Sequence, residues 1–285
     1  MNRTIAGLAV AATAATLLTA APAQAAPIDP VKALKSQLVA GRGMTFTEAT
    51  KINGPGFNVI FSRRTGKLQF APSGPVAADM TGKINLPTDD LPEDADESLR
   101  AMATPEHVIW LKNRSYISGG LIGSLLPEDK TWFSPRGPGM VSLGLSGTLG
   151  QVINVAEPAT LSALLAKATV SGHTYRGSIT FGELNKVSPW FRYSWMGRMT
   201  PKAAKFKLNW KLLLDGRRLP QRLTTSYDGA AIGIRGAKLT IDSRFANWGT
   251  KVATIKAPPA DEVTTRFDTG SDEIPDLPFI GGSGR

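Results

Sequence analysis

Residues 204–228 read AKFKLNWKLLLDGRRLPQRLTTSYD, and apolar and polar side chains alternate on either side of a turn. In the first arm, Lys207, Asn209 and Lys211 alternate with Phe206, Leu208, Trp210 and Leu212, and Leu214 follows in the same phase. Asp215-Gly216 is typical of a tight hairpin turn, and after it the alternation continues at Leu219, Leu223 and Tyr227. Because side chains of a strand point to opposite faces in turn, the stretch predicts two antiparallel strands with one covered and one solvated face. We expect the outer face to carry Lys205, Lys207, Lys211, Arg218 and Arg222.

Similar segments elsewhere predict a larger sheet and two helices. Residues 238–245 repeat the alternation, and further strands are predicted at 44–52, 57–61, 67–70, 76–86, 107–112, 131–133 and 175–181. One helix is predicted to begin after the capping residue Asp29 and to end at Gly41; a second spans 158–167 with a leucine stripe. The pattern predicts one elongated domain with an antiparallel sheet of about eight to eleven strands.

The first 25 residues have the layout of a secretory signal peptide. Arg3 is followed by an apolar stretch from 5 to 20 and by Ala23-Gln24-Ala25, a small-x-small cleavage site. A membrane anchor is the alternative, but the stretch is short for a bilayer span of ~20 residues. We expect cleavage after Ala25, a single domain over 26–267 and a flexible tail over 268–285. Since alanine stands where bacterial lipoproteins carry a lipidated cysteine, we expect a soluble, extracytoplasmic product without a lipid anchor.

Composition narrows the class of function. The chain contains 33 Lys and Arg against 23 Asp and Glu, a net charge of +10, and no cysteine. Disulfides and thiolate chemistry are therefore excluded. The charge predicts electrostatic association with an anionic membrane or with wall polymers. Nucleic acid is a poor match, because no basic–aromatic binding motif is found. We expect a monomer without a cofactor.

Few residues suggest catalysis. The two histidines, His107 and His173, have no partner at the spacing of a zinc site. Ser146 lies in Gly-Leu-Ser-Gly, which resembles half of a nucleophile elbow, but the second glycine comes one position early. The acidic stretch 88–98 offers carboxylates for calcium without the ordered spacing of a calcium loop, so a solvated loop is the preferred interpretation. The sequence predicts a protein that is not an enzyme.

Two apolar stretches are candidates either for core or for a ligand pocket. Residues 116–126 read YISGGLIGSLL, and residues 189–199 read PWFRYSWMGRM. Such stretches are usually core, but ligand pockets are also mostly apolar with few polar groups. The sequence by itself leaves both interpretations open.

Several phrases of the chain are similar to one family. They are DPVKALKSQLVAGRGMTFTEAT (29–50), SYISGGLIGSLLPEDKTW (115–132), HTYRGSITFGEL (173–184), KLLLDGRRLPQRLTT (211–225) and RFANWGTKVATIKAPP (244–259). The chain resembles actinobacterial secreted proteins and lipoproteins related to LppX and LprG, which share the fold of the lipoprotein carrier LolA. The resemblance implies an α+β fold: a strongly curved antiparallel sheet, or half-barrel, with helices covering its concave face and an apolar cavity between them.

The resemblance also implies a function and a site. We expect a carrier or sensor of lipids or other amphipathic molecules at the cell envelope; the alternative is a regulatory or interaction module that binds a partner protein. The candidate ligand-binding residues are Leu121, Ile122, Leu125, Leu126, Trp132, Phe133, Trp190, Trp195 and Met196. Arg136 and Arg198 are candidates to meet an anionic headgroup at the rim.

Overall fold

The structure is a computed structural model, and it describes residues 29–86, 97–194 and 199–272. The predicted signal peptide and most of the acidic stretch lie outside the described residues, as do Trp195, Met196 and Arg198. The helices are α1 (Pro30–Gln37), α2 (Glu97–Met102), α3 (Gly120–Gly123), α4 (Gly144–Thr148), α5 (Pro158–Leu165), α6 (Phe181–Val187) and α7 (Pro189–Arg192). Among the described residues, no helix has the length and apolar character needed to cross a bilayer.

The strands form one open sheet. They are β1 (Arg42–Gly54), β2 (Phe57–Ala71), β3 (Gly74–Ile84), β4 (Glu106–Leu111), β5 (Arg114–Gly119), β6 (Trp132–Phe133), β7 (Thr169–Ser171), β8 (Thr174–Thr180), β9 (Lys207–Leu214), β10 (Pro220–Asp228), β11 (Lys238–Lys251) and β12 (Val263–Thr264). Their order is β12-β6-β5-β4-β3-β2-β1-β11-β10-β9-β8-β7. The pairing is antiparallel except between β6 and β12, which are parallel. Consecutive strands are mostly neighbours, as the hairpin patterns in the sequence predicted. Within the described residues the sheet has 12 strands, more than the predicted eight to eleven.

The hairpin of β9 and β10 follows the predicted alternation. Leu212 lies opposite Leu223, Trp210 is 4% exposed, and Lys207, Lys211 and Arg222 are exposed. This confirms which face of the two strands is covered.

The turn of this hairpin differs from the prediction. It runs over residues 215–219, with the Asp215 side chain accepting hydrogen bonds from the amides of Arg217 and Leu219. Arg218, rather than a glycine, has a positive φ of 63°. Two outer-face assignments are therefore wrong: Arg218 lies half-buried in this turn, and Lys205 lies in a 3₁₀ segment before β9.

Apolar side chains on one face of the sheet pack against the helices. The main core cluster joins strand residues such as Phe46, Leu68 and Leu239 to Leu34 of α1 and Leu161 of α5. We call this face of the sheet the inner face and the opposite one the outer face. Burial of this cluster is the main force holding helices and sheet together.

Several elements were absent from the predicted set. The elements that were not predicted are β5, β7, β12, α2, α3, α4, α6 and α7. The predicted strands 57–61 and 67–70 are parts of the continuous 15-residue strand β2. The short helices gave little periodicity. α6 nevertheless begins with a capping box, in which Thr180 and Glu183 bond each other's backbone.

Candidate functional site

A continuous stretch of 17 residues, 141–157, is buried along its whole length. It reads VSLGLSGTLGQVINVAE, and we call it the buried segment. It contains α4 and otherwise forms no regular structure. Because buried backbone groups need hydrogen-bond partners, such a segment must find them on the elements around it.

Polar side chains of the inner face supply these partners. Thr50 of β1 donates to the carbonyl oxygen of Leu149 at 2.8 Å. Thr225 of β10 donates to Oε1 of Gln151 at 3.0 Å, and Gln151 Nε2 donates to Oγ of Ser243 in β11 at 3.2 Å. The buried segment is thus bonded to strands β1, β10 and β11.

Glu106 and Arg64 hold the two ends of α4. The Glu106 carboxylate accepts hydrogen bonds from the amides of Leu145 and Ser146, at 2.8 and 2.9 Å, and from the Ser146 hydroxyl. Arg64 Nη1 donates to the carbonyl oxygens of Ser146 and Gly147, both at 3.3 Å. A negative group at the start of a helix and a positive group at its end both suit the helix dipole. Burial raises the pKa of Glu106, and the hydrogen bonds from Ser146 oppose that rise.

Arg64 also forms a buried ion pair with Glu48. Arg64 Nε lies 3.5 Å from Glu48 Oε1, and the two side chains are 6% and 3% exposed. Glu48 accepts further hydrogen bonds from the Gln151 amide at 3.2 Å and from the Ser243 hydroxyl at 3.0 Å. A buried pair needs such additional bonds to offset the loss of water around both charges.

A cleft of about 30 Å³ lies beside this ion pair, between the inner face and the buried segment. We call it the inner cleft. Its apolar lining consists of Met44, Phe46, Leu68, Ile153, Trp190 and Phe245, and its polar lining of Glu48, Arg64, Gln151 and Asn154. In its present form it has room for about two water molecules. Apolar walls with a few polar groups at one place are typical of ligand pockets.

Asn154 lines the inner cleft, and its side chain carries an unpaired donor. Its Oδ1 accepts the amide of Ala156 at 2.9 Å, so the orientation of the amide group is fixed by that bond. Its Nδ2 is buried and has no hydrogen-bond partner. Leaving such a donor unpaired costs about 1–3 kcal/mol, and a ligand with an acceptor oxygen would remove that cost.

The structure distributes the predicted ligand-binding residues over three clusters. Ile122, Phe133 and Trp190 belong to the main core, with Leu125 and Leu126 half-buried against it. Leu121 packs in a second cluster with Ile84, Met102 and Leu145. Of these six, Trp190 borders the inner cleft.

Trp132 lies on the other side of the sheet. It packs with Ala77, Ile109, Tyr116 and Ile255, and its ring centroid is 4.9 Å from that of His107. Alternation within β6 separates it from its neighbour Phe133. Trp195 and Met196, like the rim candidate Arg198, lie outside the described residues. The other rim candidate, Arg136, forms an ion pair with Asp272 at 3.3 Å.

Sequence reasoning missed Glu48 and Arg64, although a signal for them exists. Glu48 falls in phase with the apolar residue Phe46 of β1, and Arg64 falls in phase with Leu68 of β2. A charged residue on the covered phase of a strand is either a partner in a buried pair or a functional group. Their pairing needs the register of β1 and β2, which places Glu48 opposite Arg64.

Two further polar candidates, His107 and Ser146, have structural partners, and His173 is exposed at the surface. His107 Nε2 lies 2.8 Å from Asp79 Oδ1, and this hydrogen bond is the main cause that lowers the pKa of Asp79 to about 2. Ser146 is buried against Glu106. Within the described ranges there is no group of three or more side chains that could hold a metal ion.

Comparisons with known proteins give distant structural likenesses. No protein-family model matches the chain, and no curated protein matches it. A LolA-superfamily protein of Nitrosomonas europaea is 8% identical, with 76% of this chain and 91% of that chain covered at a TM-score of 0.31. A DUF1329-family protein from Desulfovibrio piger is 12% identical, with 77% and 94% covered at a TM-score of 0.29. The Mycobacterium tuberculosis lipoprotein LppX is 14% identical, with 80% and 100% covered at a TM-score of 0.31.

Proposed function

We propose that this chain is an exported, non-catalytic binding protein that takes up the acyl chain of an amphipathic molecule at the inner cleft. In this proposal the open sheet curves as a half-barrel around the ligand, and the protein acts as a carrier or sensor of lipids. The observation that carries the proposal is the combination of an apolar lining with the unpaired Nδ2 of Asn154.

The lining of the inner cleft favours one kind of ligand chemistry. The apolar residues offer nothing to a polar molecule, while each buried methylene contributes about 0.8 kcal/mol. Glu48 and Arg64 balance each other's charge, so a neutral ester or amide carbonyl oxygen fits the free Asn154 donor best. The ligand class is therefore an acyl ester or amide.

Binding of an acyl chain requires the inner cleft to widen. Its about 30 Å³ is far smaller than such a chain. Phe245 is half-buried at its edge, and Ile153 belongs to the buried segment, which has no regular structure at that point. Movement of these two groups is the simplest way to open a path between the segment and β11.

The experiment has two steps. Organic extraction of the purified protein followed by mass spectrometry identifies any lipid that it retains. Titration with a fluorescent fatty-acid methyl ester then compares the wild type with Ile153→Trp, which fills the cleft, and with Val170→Trp, which places the same ring on the exposed strand β7. We expect Ile153→Trp alone to abolish binding; equal binding by all three proteins would refute the site.

A second candidate function is a regulatory module that binds a partner protein. It is favoured by the buried segment itself, because apolar side chains of this segment already pack in the core against the inner face. If the extract contains no lipid and the wild type does not bind the ester, this second function replaces the first.

Export is part of the proposal and has its own test. Mass measurement of the protein recovered from producing cells distinguishes a chain cut after Ala25 from an uncut one. An uncut chain would contradict export by the predicted signal peptide.

A further inference from the structure

The tip of the β1–β2 hairpin exposes two large apolar side chains. Phe57 is 44% exposed and Val59 is 46% exposed. In the described part of the chain, Val39 and Val170 are the other large apolar side chains with this degree of exposure, and each stands away from the tip in sequence. Single exposed apolar residues are ordinary on a protein surface, but two of them at one hairpin tip form a small apolar patch.

The tip is held in a defined shape. Gly54 lies opposite Phe57, and Ile52 lies opposite Val59. Gly56 has a positive φ of 80°, which a glycine adopts without strain. A Cβ atom on Gly54 would lie 2.5 Å from the ring of Phe57, so the ring lies directly across the partner strand. One side of the ring is therefore covered by backbone while the other remains open.

Basic side chains lie close to this apolar tip, on the opposite face of the sheet, because Lys51 and Asn53 alternate with the partners of Val59 and Phe57. Lys51 lies opposite Ile60 and Lys238 lies opposite Asn53, and both lysines are exposed. Arg235, also exposed, precedes Lys238 by three positions. The nearest acid in the strand register is Asp228, opposite Lys238, and its carboxylate accepts the amide of Ala230. The surroundings of the tip are thus positive, in keeping with the net charge of +10.

We propose that the β1–β2 hairpin tip docks on an anionic lipid bilayer, with Phe57 and Val59 entering the headgroup region and the basic residues facing lipid phosphates. Aromatic and aliphatic side chains next to lysine and arginine are the usual composition of an interfacial anchor. A protein partner fits less well, because stable protein interfaces need about 800 Å² per partner and two side chains on a projecting turn offer far less. This inference concerns other residues than the inner cleft and goes beyond the proposed function.

The test measures cosedimentation of the exported chain, cut after Ala25, with vesicles. Apart from the substituted positions, residues 26–285 are common to every variant, so differences between variants report on the tip. Vesicles of phosphatidylcholine with phosphatidylglycerol are compared with vesicles of phosphatidylcholine alone. We expect the wild type to prefer the anionic vesicles and to bind them less as salt is raised. We expect the double variant Phe57→Ser, Val59→Ser to bind at least about tenfold more weakly.

Two further variants complete the design. Val170→Ser removes an equally exposed apolar side chain from β7 and should bind like the wild type. Lys51→Glu combined with Lys238→Glu should lose the preference for anionic vesicles. Full binding by the Phe57, Val59 double variant, or equal losses in it and in Val170→Ser, would overturn the inference.

A second measurement does not depend on loss of binding. In the variant Phe57→Trp, bromine-labelled anionic lipids should quench the added tryptophan more strongly than they quench the six tryptophans of the wild type. Absence of extra quenching would also overturn the inference. Titration with the fluorescent ester on the tip variants separates this result from the proposed function, because the tip variants leave the inner cleft unchanged.

Discussion

The Glu106 carboxylate accepts three hydrogen bonds, and at 2% exposure the residue has almost no contact with water. Burial raises its pKa above the ordinary value of 4.5, and burial likewise raises the pKa of Glu157. The folded protein therefore binds a proton on each of these two carboxyl groups more tightly than the unfolded chain does. The contribution of the two protonated groups to the free energy of unfolding is greatest below pH 4.5. It declines as pH rises through the raised pKa values.

The first prediction follows from this decrease of stability with rising pH. Glu106→Gln removes the ionisation and leaves one buried donor badly matched, so at pH 5 we expect a loss of about 1–3 kcal/mol in the free energy of unfolding. The loss should shrink as pH rises from 5 to 8, because only the wild type is destabilised by ionisation. Urea unfolding midpoints of both proteins across this range provide the measurement. A difference that does not shrink from pH 5 to 8 would contradict titration of Glu106 in this range and overturn the prediction.

The second prediction concerns the Tyr227 hydroxyl, which is buried without a hydrogen-bond partner. Tyr227 is 2% exposed. Burial is the main cause that raises the pKa of its hydroxyl, and the nearby charge of Glu48 raises this pKa further. Tyr227→Phe should therefore stabilise the protein by about 1 kcal/mol, since it removes an unsatisfied polar group and keeps the ring. Thermal unfolding tests this against Tyr175→Phe, whose ring is half-buried and whose change should be close to neutral. A lower melting temperature for Tyr227→Phe would mean that a water molecule bonds the hydroxyl.

At the level of elements, the buried segment depends on close backbone contacts. A Cβ atom on Gly147 of α4 would lie 2.8 Å from the carbonyl carbon of Ser142. That contact is shorter than real Cβ atoms show, and the opposing atom belongs to backbone that cannot rotate away. The glycine is needed for space rather than for a positive φ.

The third prediction is that Gly147→Ala destabilises the protein by about 1–3 kcal/mol, a typical cost of overpacking. Gly216→Ala, in the β9–β10 turn, is the matched control, because a Cβ atom there meets nothing within 4 Å. Urea unfolding of the two variants provides the comparison. Equal stabilities would indicate that the segment around Ser142 shifts without cost.

The sequence predicted the elements that are specified by a pattern within their own residues, and it did not predict those that depend on distant residues. β9, β10 and β11 were predicted from alternation, because each strand carries its own two-residue period and hairpin turns join them. The end of α1 was placed four residues too late, at Gly41 instead of Gln37. The buried segment has neither a period of 2 nor one of 3.6. Its burial depends on side chains up to about a hundred positions away, such as Glu48 for Gln151, so no local pattern could predict it.

The same limit applies to the candidate site. Trp190 was in the predicted set because aromatic residues are concentrated around it. Asn154 was not, because an isolated asparagine in an apolar stretch gives no indication that its Nδ2 will stay unpaired. Trp132 and Phe133 were predicted together, whereas alternation in β6 places them on opposite faces.

At the level of the whole molecule, sheet and buried segment form a closed arrangement with little space for a ligand. A ligand that binds only an opened form must supply the free energy of opening, so its apparent affinity falls with the fraction of molecules that are open. A protein of this kind should hold its ligand well only when the gain from buried methylenes exceeds that cost. If the proposed ligand binds there, its binding and the movement of the segment are coupled.

The last prediction tests that coupling by hydrogen exchange. In the free protein, amides of the buried segment should exchange slowly, since Leu149 bonds Leu145, Gln151 bonds Glu48 and Glu157 bonds Asn154. Saturation with the fatty-acid methyl ester should speed exchange at 149–154 and leave β9 unchanged, because the ester selects a form in which the segment around Ile153 has shifted to widen the inner cleft. Peptides from Ile153→Trp provide the control, since that variant should show no response to the ester. If the ester binds the wild type and the exchange of 149–154 stays slow, the ligand enters without displacing the segment, and the opening step is wrong.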